Sequence, residues 1–320
     1  MRCLLIAAAL LAAAAAHAQA QDYPNRPIML IIPTAVGGGN DTLGRIMADR
    51  MSPMLGQQIV PENRGGAGGT LATKQLANSP PDGYTLGISN SGTMGMGPSM
   101  YPNAGYDPRK DFAPIGGIAA SAVILVVGKD VPARSVAELI ELARKEPGKL
   151  TYGTGGAGSP AHLAAELFAS MAGIKLTHVP FRGLGPAMND LLGGHITMIF
   201  GAVSTAMGNI RAGTIRPLAT TGETRHKDFP DLPTVAEAGL TGYSAEQRYG
   251  MLAPAGTPAP IVRKLNAALR EALNSEQVKT QIANEGAVPI PGNPEDYARD
   301  IDREETKWAK VIRDSGALPK

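Results

Sequence analysis

Ile28-Met29-Leu30-Ile31-Ile32-Pro33-Thr34-Ala35-Val36-Gly37-Gly38-Gly39-Asn40-Asp41 decides how this chain folds. Five apolar residues in a row read as a short buried strand, Pro33 ends it, and the glycine run makes a tight loop. Leu43, Ile46, Met47, Met51 and Leu55 follow at helical spacing, so an amphipathic helix begins where the glycines stop. Strand, glycine loop and helix in that order form the repeating unit of α/β layers with mostly parallel sheets.

The unit recurs along the chain. Ile59 and Val60 lead to Asn63-Arg64-Gly65-Gly66-Ala67-Gly68-Gly69, which opens a helix over 70–77. A strand over 84–88 ends in Ser89-Asn90-Ser91, and one over 150–152 runs into Gly153-Thr154-Gly155-Gly156-Ala157-Gly158-Ser159. Pro160 suits the first position of the helix after it. Ser135 with Glu138 makes a capping box ahead of Val136, Leu139, Ile140 and Ala143, and 234–237 forms another capped turn. The last helical pattern puts Tyr297, Ile301, Trp308, Val311 and Ile312 on one face. Two long extended stretches, 112–128 and 243–252, bracket the middle block. That pattern predicts a second domain (125–246) inserted into a first (21–124 and 247–320), with ligand bound in a cleft where strand ends and helix N-termini converge.

The length of 320 residues suits two domains, and 43% apolar residues suffice for buried cores. Charged residues are only 18%, the formal net charge is +2, and no block of like charges occurs, which argues against a nucleic-acid surface. Arg2, the apolar run from Leu4 to Ala16, and Ala18-Gln19-Ala20 fit a secretory signal over 1–20, so the mature protein is expected to start at Gln21 and be exported. The apolar run is too short to span a bilayer as a helix. Cys3, the one cysteine, departs with the signal, leaving no thiol nucleophile or thiolate metal ligand.

Three glycine loops, at 37–41, 65–69 and 153–159, stand at helix N-termini. There, free N–H groups and the helix dipole favour an anion and glycine lets it approach. A single such loop could equally be only a tight turn. Nucleotide readings fail in detail: none of the loops continues into GK[ST]. Gly153, Gly155 and Gly158 match GxGxxG, yet the strand that should supply an acidic residue reads Leu176-Thr177-His178-Val179-Pro180. Gly87-Ile88-Ser89-Asn90-Ser91 lacks the last glycine of a nucleophile elbow. His162, His178, His195 and His226 are scattered, with no HxxxH pair and no carboxylate at metal-ligand spacing, so no metal is expected. His162 stands out because it lies one turn into the helix opened by the third glycine loop.

Residues 33–41, Glu62-Asn63-Arg64-Gly65-Gly66-Ala67-Gly68-Gly69, Pro81-Asp82-Gly83-Tyr84-Thr85-Leu86, Ser159 with His162-Leu163, and Leu252-Ala253-Pro254-Ala255-Gly256-Thr257-Pro258 together resemble the Bug (TctC-like) family of extracytoplasmic solute receptors. The resemblance spans 22–318. It implies a type II periplasmic binding protein fold, two α/β domains joined by two extended crossings. It also implies a carboxylate ligand gripped by the first and third glycine loops from opposite domains, closing as a hinge. The ligand-binding set expected on this chain is Thr34, Ala35, Gly37, Gly38, Gly39, Asn40 and Asp41 in one jaw and Gly155, Gly156, Ala157, Ser159 and His162 in the other. Ser89, Ser91, Gly201 and Arg248 complete it, the alternative for Arg248 being that it points to solvent or pairs with Glu246.

The chain departs from the family pattern at Val36, where Pro is usual, at Gly201, where Asp is frequent, and at Arg248, where Trp is common. Losing an acid and gaining a cation favours a second negative group on the ligand. The expected function is therefore a monomeric periplasmic receptor without cofactor, metal or catalytic residues. It would pass a small organic carboxylate, a dicarboxylate above all, to a tripartite tricarboxylate-type membrane transporter. A secreted hydrolase of carboxylate esters and a receptor presenting its ligand to a membrane sensor kinase are the alternatives.

Overall fold

The computed structural model describes residues 23–315 apart from 35, 38, 102, 156–158 and 182. The expected signal segment lies outside the described residues, as do four expected binding positions, Ala35, Gly38, Gly156 and Ala157. The chain divides into two units, one of Met1–Ala119, Tyr249–Ile282 and Pro289–Glu305, the other of Ala120–Arg248, Ala283–Val288 and Thr306–Lys320.

In the first unit, β1 (Ile28–Ile32) has four of its five side chains buried. It leads to α1 (Gly39–Leu55), whose Leu43, Ile46, Met47, Met51 and Leu55 are all buried, as their spacing predicts. β2 (Ile59–Asn63), α2 (Thr70–Ala77) and β3 (Thr85–Asn90) follow, and β1 runs parallel to both neighbouring strands. A π turn (Gly92–Met96) and the short α3 (Gly97–Met100) then lead to β4 (Phe112–Gly128), in which the chain passes to the second unit.

The second unit takes up α4 (Val136–Lys145), β5 (Thr151–Thr154), α5 (Pro160–Ala172), β6 (Thr177–Pro180), α6 (Leu184–Leu192), β7 (Met198–Ala202), α7 (Val203–Arg211) and β8 (Ile215–Thr220). β5 is parallel to β6 and β7, while β4 is antiparallel to both β7 and β8. Ile124, Val126, Met188, Leu191, Ile196 and Ile199 share one buried cluster between this sheet and its helices. Ser135 Oγ accepts the Glu138 N–H, but the Glu138 carboxylate turns to the Arg134 N–H rather than closing the box. At 234–237 the box is complete: Thr234 Oγ1 accepts from Glu237 N and the Glu237 carboxylate accepts from Thr234 N.

The return passes through β9 (Glu246–Pro254), antiparallel to β3, into α8 (Ala259–Asn274), α9 (Glu276–Asn284), β10 (Val288–Pro289) and α10 (Pro294–Ser315). Two strands are shifted along the chain from where the sequence pattern puts them. β3 extends to Asn90 because its ladder with β9 continues to the pair Asn90–Tyr249. Residues 243–245 stay outside β9 because they are tied elsewhere in their unit, Tyr243 Oη donating to Ala164 O and Ala245 N to Thr221 O. In the first unit, Ile31, Leu76, Met94, Phe112, Leu252, Tyr297 and Ile301 form one buried cluster. Among the described residues no helix is long and apolar enough to cross a membrane.

Asn266 on α8 is buried, and its Nδ2 donates to Ile115 O at 2.8 Å and to Gly292 O at 2.9 Å. Asn266→Leu takes the side-chain donor away from one buried and one half-buried carbonyl and is expected to cost about 1–3 kcal/mol, read as a lower midpoint in urea unfolding with unchanged slope.

Candidate functional site

The loop from Thr34 to Gly39 is closed by the first turn of the helix it opens. Gly37 has φ +92°, a left-handed conformation that suits glycine, and its N–H donates to Asp41 Oδ2 at 2.9 Å. The other carboxylate oxygen of Asp41 accepts from Arg45 Nε at 2.8 Å and from Asn63 Nδ2 at 2.9 Å. Asn63, the last residue of β2, also donates to Thr34 O at 3.1 Å, and its Oδ1 takes Arg45 Nη2 at 2.8 Å. Burial works to raise the pKa of the Asp41 carboxyl, but the Gly37, Asn63 and Arg45 bonds outweigh it and hold the group below the usual aspartate value. Asp41 thus grips the loop's own backbone.

Thr34 Oγ1, at the foot of this loop, is buried without a hydrogen-bond partner among the described residues. Such an orphaned hydroxyl calls for an explanation, and a ligand oxygen would supply one. Asn40 is buried and its Oδ1 accepts from Asn90 Nδ2 at 2.9 Å, which fastens the end of β3 to the start of α1. Gly39 sits beneath Tyr249 of β9, where a Cβ would come within 2.7 Å of the phenolic oxygen. Ser89 is turned elsewhere: its Oγ donates to Gly250 O at 3.1 Å and lies 2.7 Å from Tyr297 Oη. Ser91 is buried immediately before the π turn. Of the 89–91 stretch it is Asn90 that meets the loop's helix.

In the second unit β5 ends at Thr154, and the third glycine loop follows. Ser159 caps α5, its Oγ accepting the His162 N–H at 3.3 Å, with Pro160 next in the helix. Gly155 packs against the Gly183 backbone, where a Cβ would sit 3.4 Å from Gly183 Cα. The His162 ring is turned inward and buried. It stacks on His178 with centroids 4.2 Å apart, and His178 stacks on Tyr152 at 5.0 Å. The Tyr152 hydroxyl donates to Glu166 Oε1, which lies 3.8 Å from His162 Nε2, and Thr154 Oγ1 lies 2.7 Å from His178 Nε2. Burial, and then the neighbouring His162, push the His178 imidazole down to about 4. Burial also lowers His162.

Gly201 is buried in β7 opposite Ile124 of β4, inside the sheet. Arg248 pairs with Glu246 on its own strand, Nη1 to Oε2 at 2.8 Å, with both side chains little exposed. The Glu223 N–H donates to Glu246 Oε1 at 3.2 Å and fixes the pair. Among the described residues, no group of three or more His, Cys, Asp or Glu could hold a metal ion.

Reading the sequence passed over Asn90, Tyr249 and Arg45 beside the first loop and Tyr152, Glu166 and His178 beside the third. The i,i+4 spacing of His162 and Glu166 was a usable signal. The place of His178 follows only from the β5–β6 register, which sets it opposite Tyr152.

Asp41→Ala strands the Gly37 N–H and the Asn63 amide, and is expected to cost about 1–3 kcal/mol in urea unfolding, whereas Asp41→Asn retains part of that. The stacked histidines give a second expectation. Unfolded imidazoles take protons near pH 6.5 while the folded pair resists, so the unfolded chain binds more protons at mildly acid pH. Their contribution to stability is full above about pH 6.5 and is lost as pH falls towards 4. The melting temperature should decline across that range, and His178→Phe should flatten the decline.

A family model described as the tripartite tricarboxylate transporter family receptor, TctC, matches residues 43–317. The protein BugT of Bordetella pertussis is 35% identical over 95% of this chain and 93% of its own. Among solved structures, R. palustris Rpa4515 with adipate is 38% identical with a TM-score of 0.76, covering 93% of this chain and 100% of that one. MatC from Rhodopseudomonas palustris, with bound malate, is 34% identical with a TM-score of 0.72, covering 91% and 100%. The glycine loops, the type II periplasmic binding protein fold and these likenesses agree: the chain belongs to the TctC family of periplasmic solute receptors, a family of substrate-binding proteins and not of enzymes.

Proposed function

We propose that this protein is exported to the periplasm, captures a small organic dicarboxylate there, and delivers it to a tripartite tricarboxylate-type membrane transporter. The observation that carries the reading is the first loop. The unpartnered Thr34 hydroxyl stands beside a glycine turn that opens onto the N-terminus of a 17-residue helix, where backbone N–H groups lack intrahelical acceptors. The adipate of Rpa4515 and the malate of MatC support a dicarboxylate. Thr34, Gly39 and Asn40 offer backbone and hydroxyl hydrogens, Gly37 makes the turn with its own N–H held by Asp41, and Gly155 and Ser159 offer the same chemistry at the start of α5. Ala35, Gly38, Gly156 and Ala157 belong to this proposed set by position. Asp41 and His162 serve it as supports.

Arg248 is the group in this set suited to a distal carboxylate, since its guanidinium can hold one in a bidentate fork. Its partner Glu246 already neutralises it, so a ligand carboxylate has to share or replace that contact.

Isothermal calorimetry against malate, succinate and adipate, with butyrate and hexanoate as monocarboxylate partners, tests the reading. At least one dicarboxylate should bind reversibly at micromolar affinity or tighter, about −8 kcal/mol, with no product formed. Arg248→Ala should weaken that dicarboxylate by about 2–5 kcal/mol and its monocarboxylate counterpart much less. Absence of binding across the panel, or equal losses for both ligand types, would contradict the carboxylate reading and the role of Arg248 respectively.

A further inference from the structure

The second unit holds a cluster of polar and titratable side chains that the carboxylate reading does not use: Tyr152, Thr154, His162, Glu166 and His178. It adjoins the two described ends of the third glycine loop, Gly155 and Ser159. Tyr152 and Thr154 are the second and fourth residues of β5, the strand that becomes the loop, and His162 and Glu166 face it from α5, the helix that leaves the loop. His178 enters from β6, where register places it opposite Tyr152. The cluster therefore grips both ends of the loop and a strand beside it.

Two contacts tie the ends of the loop. Thr154, fully buried at the last strand position, has its hydroxyl 2.7 Å from His178 Nε2. Its carbonyl accepts the Phe181 N–H at 2.9 Å, so both its backbone and its side chain are held by β6 and the residue after it. At the other end, Ser159 Oγ accepts the His162 N–H, and the His162 ring is clamped against His178 at 4.2 Å. Tyr152 backs the stack, its hydroxyl spent on Glu166. A purely structural core at this place could be apolar at no cost in hydrogen bonds. Here the buried Thr154 hydroxyl meets the half-buried His178 imidazole and the Tyr152 hydroxyl meets the Glu166 carboxylate, and paired polar groups fix a geometry more narrowly than apolar packing does.

We propose that Thr154 and His178 are positioning residues of the third glycine loop: their hydrogen bond, backed by the Tyr152–His178–His162 stack and Glu166, sets the direction in which the backbone of Gly155 and Ser159 presents its N–H groups to a bound carboxylate. The inference rests on the carboxylate reading for its consequence, not for its geometry. Neither residue is assigned a contact with ligand. Loosening the tie lowers the fraction of molecules with the loop set for binding, and apparent affinity falls by that fraction.

The test uses the full mature chain with Thr154→Val, Thr154→Ser and His178→Phe. Valine keeps the shape of threonine without its hydroxyl, and serine keeps the hydroxyl. In the ligand-free protein, 15N-edited spectra report the His178 Nε2 shift and the Gly155 and Ser159 amide shifts. Thr154→Val should move all three, and Thr154→Ser should return them to near wild type. With adipate as probe, Thr154→Val and His178→Phe should bind about tenfold more weakly and Thr154→Ser within about twofold of wild type, at melting temperatures close to wild type for both Thr154 variants. Unmoved Gly155 and Ser159 amides in Thr154→Val, or wild-type adipate affinity in Thr154→Val and His178→Phe, would overturn the inference. If the wild-type protein binds neither adipate nor malate, the carboxylate reading fails, while the amide shifts still decide whether the tie sets the loop.

Discussion

A buried carboxylate closing its own loop is the constraint on which the first half of the site depends. Asp41 takes the Gly37 N–H on one oxygen and Asn63 and Arg45 on the other, so Gly37, in a segment with little conformational preference of its own, is tied to the helix that follows. The charge balance matters as much as the geometry. An isolated negative group at a helix N-terminus would repel the anion that the helix dipole attracts. Arg45, one turn further along α1, neutralises Asp41 and leaves the loop able to receive a ligand of the same sign. Asn63 ties the arrangement to the end of β2, so loop, helix and neighbouring strand are fixed together.

The second unit reaches a comparable result by different means. Its loop also leaves a strand and opens a helix, but the support beneath it is a stack of three rings closed by hydroxyl and carboxylate contacts. The imidazoles are held neutral by burial and by each other, so the support adds no fixed positive charge beside the loop. In the proposed reading, binding strength at each loop comes from oriented backbone N–H groups. Such groups recognise any compact anion, and carboxylate preference and ligand length have to be set elsewhere. The Arg248–Glu246 pair is suited to that task, because its two charges cancel until a ligand oxygen competes for the guanidinium.

The α/β layering was legible because the decisive signals are local. Ile28–Ile32 is apolar throughout, α1 repeats at helical spacing, and Ser159 with Pro160 marks a helix start that the structure places there. The type II fold itself came from the order of several motifs, which no single periodicity encodes. What sequence could not supply was strand register. Ser89, Asn90 and Ser91 are all buried, so alternation gave no clue that Asn90 faces α1 while Ser89 faces α10. His178 looked isolated because its partners lie 24 and 26 residues away at Thr154 and Tyr152, and parallel pairing alone brings them together.

The central claim is that backbone N–H groups of the first glycine loop, completed by the Thr34 hydroxyl, hold a ligand carboxylate. A crystal structure of the protein with adipate or malate bound tests it most directly. A carboxylate oxygen is expected within hydrogen-bond distance of Thr34 Oγ1 and of N–H groups at residues 38 to 40, with the Asp41 contacts to Gly37, Arg45 and Asn63 intact. A dicarboxylate held elsewhere, with Thr34 Oγ1 still unpartnered, would contradict it.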